Sequence, residues 1–181
     1  YIPHPRMAAR WDAMDWVQWI DGDLNDRFTL LPVRDDYAEH IVKNKINIID
    51  WINIETGEHY MIGNLLEGIK KQLGKGVGIV AIQKAEGADA GRGGQFTKDF
   101  ADLELLLDKF GENEVLLKIG KTKETKSGTH LVGRIYGYAI EDNGNKIMHF
   151  RELRKCPGCN GDGYSHGKPC ERCWGRKYID K

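Results

Sequence analysis

No run of 18 or more apolar residues occurs in this 181-residue chain, and its start, Tyr1-Ile2-Pro3-His4-Pro5, lacks the charged and apolar regions of a secretory signal. Those absences argue against a membrane-spanning helix and a leader peptide, so a soluble, cytoplasmic protein with no membrane partner is the expectation. An excess of one charge is also lacking: 27 basic residues balance 27 acidic ones, and the pI is about 7.2. No global basic field draws in nucleic acid, and any such contact must come from local patches. All four cysteines fall after residue 155. The phosphate loop G-x-x-x-x-G-K-[ST] is missing, so any nucleotide site here is half of one.

What is present is 40% apolar residues, enough for one well-cored domain and a small appendage. The chain opens without methionine, and is expected to be the carboxyl-terminal part of a longer product. Pro5 suits the first turn of a helix over 6–20, stopped by Asp21-Gly22-Asp23. A short strand over 28–31, a helix over 35–43 and a buried strand over 46–49 follow. Residues 59–73 place Ile62, Leu65, Leu66, Ile69 and Leu73 on one helical face, closed by Gly74. A second apolar strand runs over 78–83. This β-α-β-α-β order predicts an α/β fold, a mostly parallel sheet flanked by helices.

The glycine-rich stretch 87–94 reads as a mobile loop. Residues 103–107 and 115–119 read as strands continuing the sheet, and 131–140 pairs with 146–152 through Asp142-Asn143-Gly144 as an antiparallel extension. A domain boundary falls at about Lys155, dividing a core over 1–154 from a small module over 155–181.

Asp50 stands at the carboxyl end of the strand Ile-Asn-Ile-Ile-Asp, the edge where open α/β sheets bind ligands, and could hold Mg²⁺ against phosphate. Gln83 ends the next strand, where an amide could sense a γ-phosphate, and Lys118-Ile-Gly-Lys121-Thr-Lys123 follows another. Each has a plain alternative: a capping aspartate, a surface amide, a solvated turn. Gly63-Asn-Leu-Leu-Glu-Gly68 and Gly74-Lys-Gly-Val-Gly78 echo a phosphate loop in glycine spacing only, and read as helix packing and turn chemistry. His40, Glu58 and His59 read as capping or solvated groups, and Trp11, Trp16 and Trp19 as packing residues.

In this order the pieces resemble the RecA/DnaB-like ATPase core of replicative helicases and recombinases. Residues 46–50 are similar to that family's Walker B strand, 80–83 to the strand ending in its glutamine sensor, and Lys121-Thr-Lys123 to its K-x-K pair. The resemblance implies a RecA-like fold and a ring or filament of identical subunits with ATP/Mg²⁺ between them. Asp50 would hold the metal, Gln83 would couple the γ-phosphate to DNA, and Lys121 and Lys123 would reach a neighbouring site. Arg92 and Lys98 would touch single-stranded DNA. It also implies that the phosphate loop lies upstream of Tyr1 and that the catalytic glutamate is either just upstream or absent, so that this chain alone lacks hydrolytic activity. The alternative is a non-hydrolysing RecA-like scaffold whose basic tail binds nucleic acid or a protein partner.

Cys156-Pro-Gly-Cys159 and Cys170-Glu-Arg-Cys173 offer four thiolates with tetrahedral reach, the arrangement for structural Zn²⁺. Each knuckle is followed by glycine, resembling the units of DnaJ-type zinc domains, except that Arg176-Lys177 replaces the last glycine. With no open position the metal organises some twenty residues too few to build their own core. His166 lies between the knuckles as a spare ligand. Arg151, Arg154, Lys155, Lys168, Arg172, Arg176 and Lys177, with Tyr164, Trp174 and Tyr178 interleaved, suit single-stranded nucleic acid. A protein-docking or stabilising knob suits the same residues.

Overall fold

The computed structural model describes residues 5–52, 61–125 and 128–181. Helix α1 (Pro5–Ala13) is shorter than its sequence pattern suggests, and Asp21 closes the following turn by accepting the N–H groups of Asp23 and Asn25 at 2.9 Å each. Phe28 lies in no strand; it packs edge-on against Trp11 and Trp19, with ring centroids 5.2 and 5.4 Å away. The helix expected over 35–43 is a single 3-10 turn (Tyr37–His40).

Strands β1 (Ile46–Ile52) and β2 (Val77–Ile82) pair in parallel, Ile46 opposite Val77 and Ile48 opposite Ile79, joined through α2 (Ile62–Leu73). The amphipathic spacing of α2 dictates what it covers: Leu65, Leu66 and Ile69 pack with Tyr37, Ile49, Ile52 and Val80. Ile46, Ile48, Val77 and Ile79 point from the other side and are exposed. Gly63 and Gly68 lie inside α2 against Phe96 and Ala38, which makes them packing residues. The helix start at 59–60, with Glu58 and His59, and the first four residues fall outside the described segments.

From there the expected fold is overturned. After α3 (Gln95–Phe100) come β3 (Leu103–Phe110), β4 (Glu114–Thr122), β5 (Ile135–Glu141) and β6 (Lys146–Lys155). Together with the final strand β9 (Tyr178–Asp180), they form one five-stranded antiparallel sheet in the order β3-β4-β5-β6-β9. The parallel pairing is confined to β1 and β2. The RecA-like, mostly parallel sheet flanked by helices is therefore contradicted, and with it the ATPase and helicase architecture that the resemblance implied.

The physical reason lies in the link between β3 and β4. Both strands run longer than their apolar cores, leaving three residues between Phe110 and Glu114, with Gly111 at φ +69°. A link that short closes a hairpin, whereas a parallel crossover needs a dozen residues or more. The β5–β6 turn is the expected one: Asn143 takes φ +55° and Glu141 pairs with Lys146.

On one face of this sheet Phe110, Leu116, Ile135 and Leu153 form the core, with Tyr178 packed against them. Arg151 of β6 crosses β5 on the same face to reach Glu114 of β4, donating from Nη1 at 2.6 Å and Nη2 at 3.0 Å, while its Nε donates to Asp180 of β9 at 2.8 Å. Gly137 of β5 makes the crossing possible, since a Cβ there would sit 3.0 Å from Leu153 and 3.5 Å from the guanidinium. One arginine thus ties three strands together. No described helix is long and apolar enough to cross a membrane.

The hydrogen bonds from Arg151 hold the Glu114 carboxyl below its ordinary range, although burial opposes them. A carboxylate whose folded-state pKa is lowered stabilises fully above the unfolded value, about 4.3, and that stabilisation is lost as pH falls through the lowered value. Glu114→Gln should cost about 1–3 kcal/mol at pH 7 and flatten the loss of stability on acidification. Urea unfolding of both proteins at pH 7 and pH 3 measures it, and the two should converge at the lower pH.

Candidate metal centre

After Lys155 the chain leaves β6, makes two knuckles, and returns as β9. Lys155 pairs with Tyr178 and Leu153 with Asp180, and the Cys156 N–H donates to Lys177 O at 2.9 Å. The segment 156–177 is therefore a loop closed at its base by the sheet. Between the knuckles, β7 (Tyr164–Ser165) and β8 (Lys168–Pro169) form a two-residue hairpin.

The two knuckles repeat one backbone. Asn160 and Trp174, each directly after the second cysteine of its pair, have φ +51° and +52°, and the following Gly161 and Gly175 have +82° and +76°. Gly163 and Gly175 meet where the units touch: a Cβ on Gly163 would lie 2.7 Å from Gly175 O, a distance no side chain tolerates. The Cys170 N–H donates across this junction to Gly163 O at 2.8 Å. Lys177 stands where the first unit has Gly163, at φ +72° against +88°.

This backbone gathers all four sulfurs within 4.8 Å of one another. Cys156 and Cys170 are 3.9 Å apart and Cys159 and Cys173 3.7 Å, far beyond a disulfide bond. A tetrahedron with metal–sulfur bonds of about 2.3 Å has edges of about 3.8 Å, so the spacing fits a four-thiolate metal site. Cys156, Cys170 and Cys173 are buried. Burial pushes the Cys159 thiol up, yet the N–H groups of Gly163 and Gly161, helped by the neighbouring cysteines, outweigh it and bring it down to about 7. Cys173 goes the other way: burial and the three facing sulfurs drive it up to about 11, against the N–H of Lys177. Four thiolates this close repel one another, and a bound cation removes the conflict. Among the described residues no other group of three or more Cys, His, Asp or Glu side chains is close enough to share an ion.

His166 stays out of the cluster, in the β7–β8 turn at φ +52° with Nδ1 beside Ser165 Oγ at 3.1 Å. Tyr178 is half-buried against Phe110 and is not a free aromatic. Trp174 and Tyr164 are free, at 79% and 57% exposure. Arg176 lies over the Phe110 ring at 5.8 Å, in a cleft of about 310 Å³ that Arg151, Tyr178 and Asp180 also line. Lys168, Arg172, Arg176 and Lys177 are exposed, and among the described residues they form no ion pair.

The residues assigned to a nucleotide site lie elsewhere. Asp50 and Gln83 are brought to one edge, the carboxyl end of the β1–β2 pair, and both are exposed. Lys121 and Lys123 turn instead to the end of α3 within their own chain: Lys121 Nζ donates to the carbonyls of Lys98 and Asp99, and Lys123 pairs with Asp102 at 2.6 Å. Lys98 pairs with Glu104 at 3.6 Å, while Arg92 is exposed with its N–H donated to Gln83 O at 2.8 Å. The glycine-rich loop is tied down by Asp108, which accepts from Lys84 and from the Gly87 N–H, and by Asp89, 2.7 Å from Lys118. His40 ends the 3-10 turn, exposed.

The aromatic pairing of Tyr136 and Phe150 and the clamp formed by Arg151, Glu114 and Asp180 are not legible in the sequence, since they cross strands whose register a bulge shifts between Gly137 and Ala139. Comparison with known protein families, curated proteins and solved structures finds no match for the chain. Purified protein should contain one divalent metal per chain, and Cys173→Ser should lower that occupancy at least tenfold, read by elemental analysis after exposure to a chelator.

Proposed function

We propose that residues 155–181 bind structural Zn²⁺ and present a rigid surface to single-stranded nucleic acid. Zinc suits four sulfur ligands with no open position, so the ion here organises backbone and performs no catalysis.

The observation that carries the reading is Trp174. A bulky residue at φ +52° is a backbone outlier, held where the matching position of the first knuckle uses Asn160, a residue far better suited to it. Strain of this kind is retained where it aims a side chain, and this indole projects almost wholly into solvent. Stacking of bases on such a platform is tolerant of sequence, and the cations nearby supply phosphate partners. Their number is modest: six lysines and arginines against three carboxylates between residues 155 and 181. A zinc ion with four thiolates carries two net negative charges and offsets part of that excess. Stacking therefore contributes more than charge, which favours a single strand with accessible bases over a duplex read through its phosphates.

Titration of a fluorescein-labelled oligothymidine against the full chain tests this. Trp174→Ala should weaken binding roughly 5- to 100-fold, and stripping the metal should abolish the knuckle contribution. With about three phosphate contacts, the slope of log K against log salt should be close to −2. Unchanged affinity in Trp174→Ala would sink the reading in favour of a protein-docking or stabilising module.

A further inference from the structure

The second face of the five-stranded sheet is built differently from the one that holds the core. Register defines its rows: Leu105 opposite Ile119; Leu107 opposite Leu117, opposite Tyr136, opposite Glu152; and Lys109 opposite Val115, opposite Tyr138. Phe150 spans the two tyrosines, stacked on Tyr136 at 5.1 Å and 19° and on Tyr138 at 6.2 Å and 26°. Tyr138 is buried beneath it, while Phe150 remains 59% exposed and Tyr136 half-exposed. A three-ring ladder thus stands on an open sheet, and no described helix or loop covers Phe150.

The rim of the ladder has a sign. Glu152 is the carboxylate in the tyrosine row, and two cations share it: Lys181 at 2.8 Å and Arg134 at 3.9 Å. Lys109, at the end of the adjoining row, is exposed and forms no ion pair among the described residues. Three cations against one carboxylate leave a local excess of positive charge beside exposed ring faces. Glu141, at the hairpin end, is met by His149 at 3.6 Å.

We infer that this face is a second contact for single-stranded nucleic acid, with bases stacking on Phe150 and Tyr136 and phosphates meeting Lys109, Arg134 and Lys181. Stacked rings suit bases because every base has a π-face, and cations at the rim suit the chain of phosphates between them. A purely apolar partner would be matched by the ring faces and mismatched by the unpaired Lys109 and the shared Glu152, so charge decides between them. The inference shares its ligand class with the knuckle reading and, apart from Lys181, none of that reading's residues, so each can fail alone.

Oligothymidine titration of the full chain separates them. Phe150→Ala should weaken binding roughly 5- to 100-fold, while Phe150→Trp should retain it within about twofold and add an indole emission quenched by the oligonucleotide. Phe150 is largely exposed, so both variants should melt close to the parent. If Phe150→Ala perturbs folding, Lys109→Ala decides: it should reduce the magnitude of the salt slope by about 0.7. Loss in Phe150→Ala with none in Trp174→Ala would support the sheet site while defeating the knuckle reading. Parental affinity in a folded Phe150→Ala, or a parental salt slope in Lys109→Ala, overturns the inference, and an apolar peptide that bound this face would produce the first of these results.

Discussion

Four sulfurs gathered within 4.8 Å of one another form a site fit for a cation, and the loop over 156–177 is arranged around it. A loop of this length has too few residues to build a core, and coordination of an ion is the kind of free energy that can stand in for one. Closing the loop brings residues 178–180 back to the edge of β6, and three further contacts depend on that return. Tyr178 caps Phe110, Asp180 meets Arg151, and Arg176 settles over Phe110. The metal site and the antiparallel sheet are thus one mechanical unit, and order in the knuckles is transmitted to the strand edge.

Charge follows the same division of labour. Lys84, Lys98, Lys118, Lys121 and Lys123 look like a supply of free cations along the sequence, yet each makes a tie within the chain. Together they hold the glycine-rich loop and α3 against the five-stranded sheet. Those five lysines are therefore committed within the chain, whereas Lys168, Arg172, Arg176, Lys177 and Lys109 are exposed and form no ion pair among the described residues. Exposed rings stand beside such cations at Trp174 in the second knuckle and at Phe150, stacked on Tyr136, on the open face of the sheet.

Local signals in the sequence mapped well where the interaction was local. The amphipathic spacing of Ile62, Leu65, Leu66, Ile69 and Leu73 became α2, and Asn143-Gly144 became a hairpin. Strand direction was misjudged because apolar runs identify strands without stating where they end. Asp108, Lys109 and Phe110 belong to β3 and Glu114 to β4, and their inclusion reduced the link between the two expected strands to a three-residue turn. The ATPase resemblance depended on order and spacing along the chain, and order survives when strands reverse direction, whereas a parallel nucleotide-binding sheet does not.

By itself the sequence determined the four-cysteine cluster: two C-x-x-C pairs with glycines after them are a short-range geometric instruction, and ten intervening residues suffice to bring the pairs together. It determined the β1-α2-β2 unit for the same reason, since helical and strand periods are local properties. Only the tertiary structure decided that Lys121 and Lys123 close onto α3, that Arg151 reaches Glu114 over Gly137, and that Phe150 stacks on two tyrosines. Each of these joins residues on different strands, and cross-strand neighbours follow from register, bulges and turn length. Those quantities emerge when the whole sheet pairs, and no short segment of the chain encodes them.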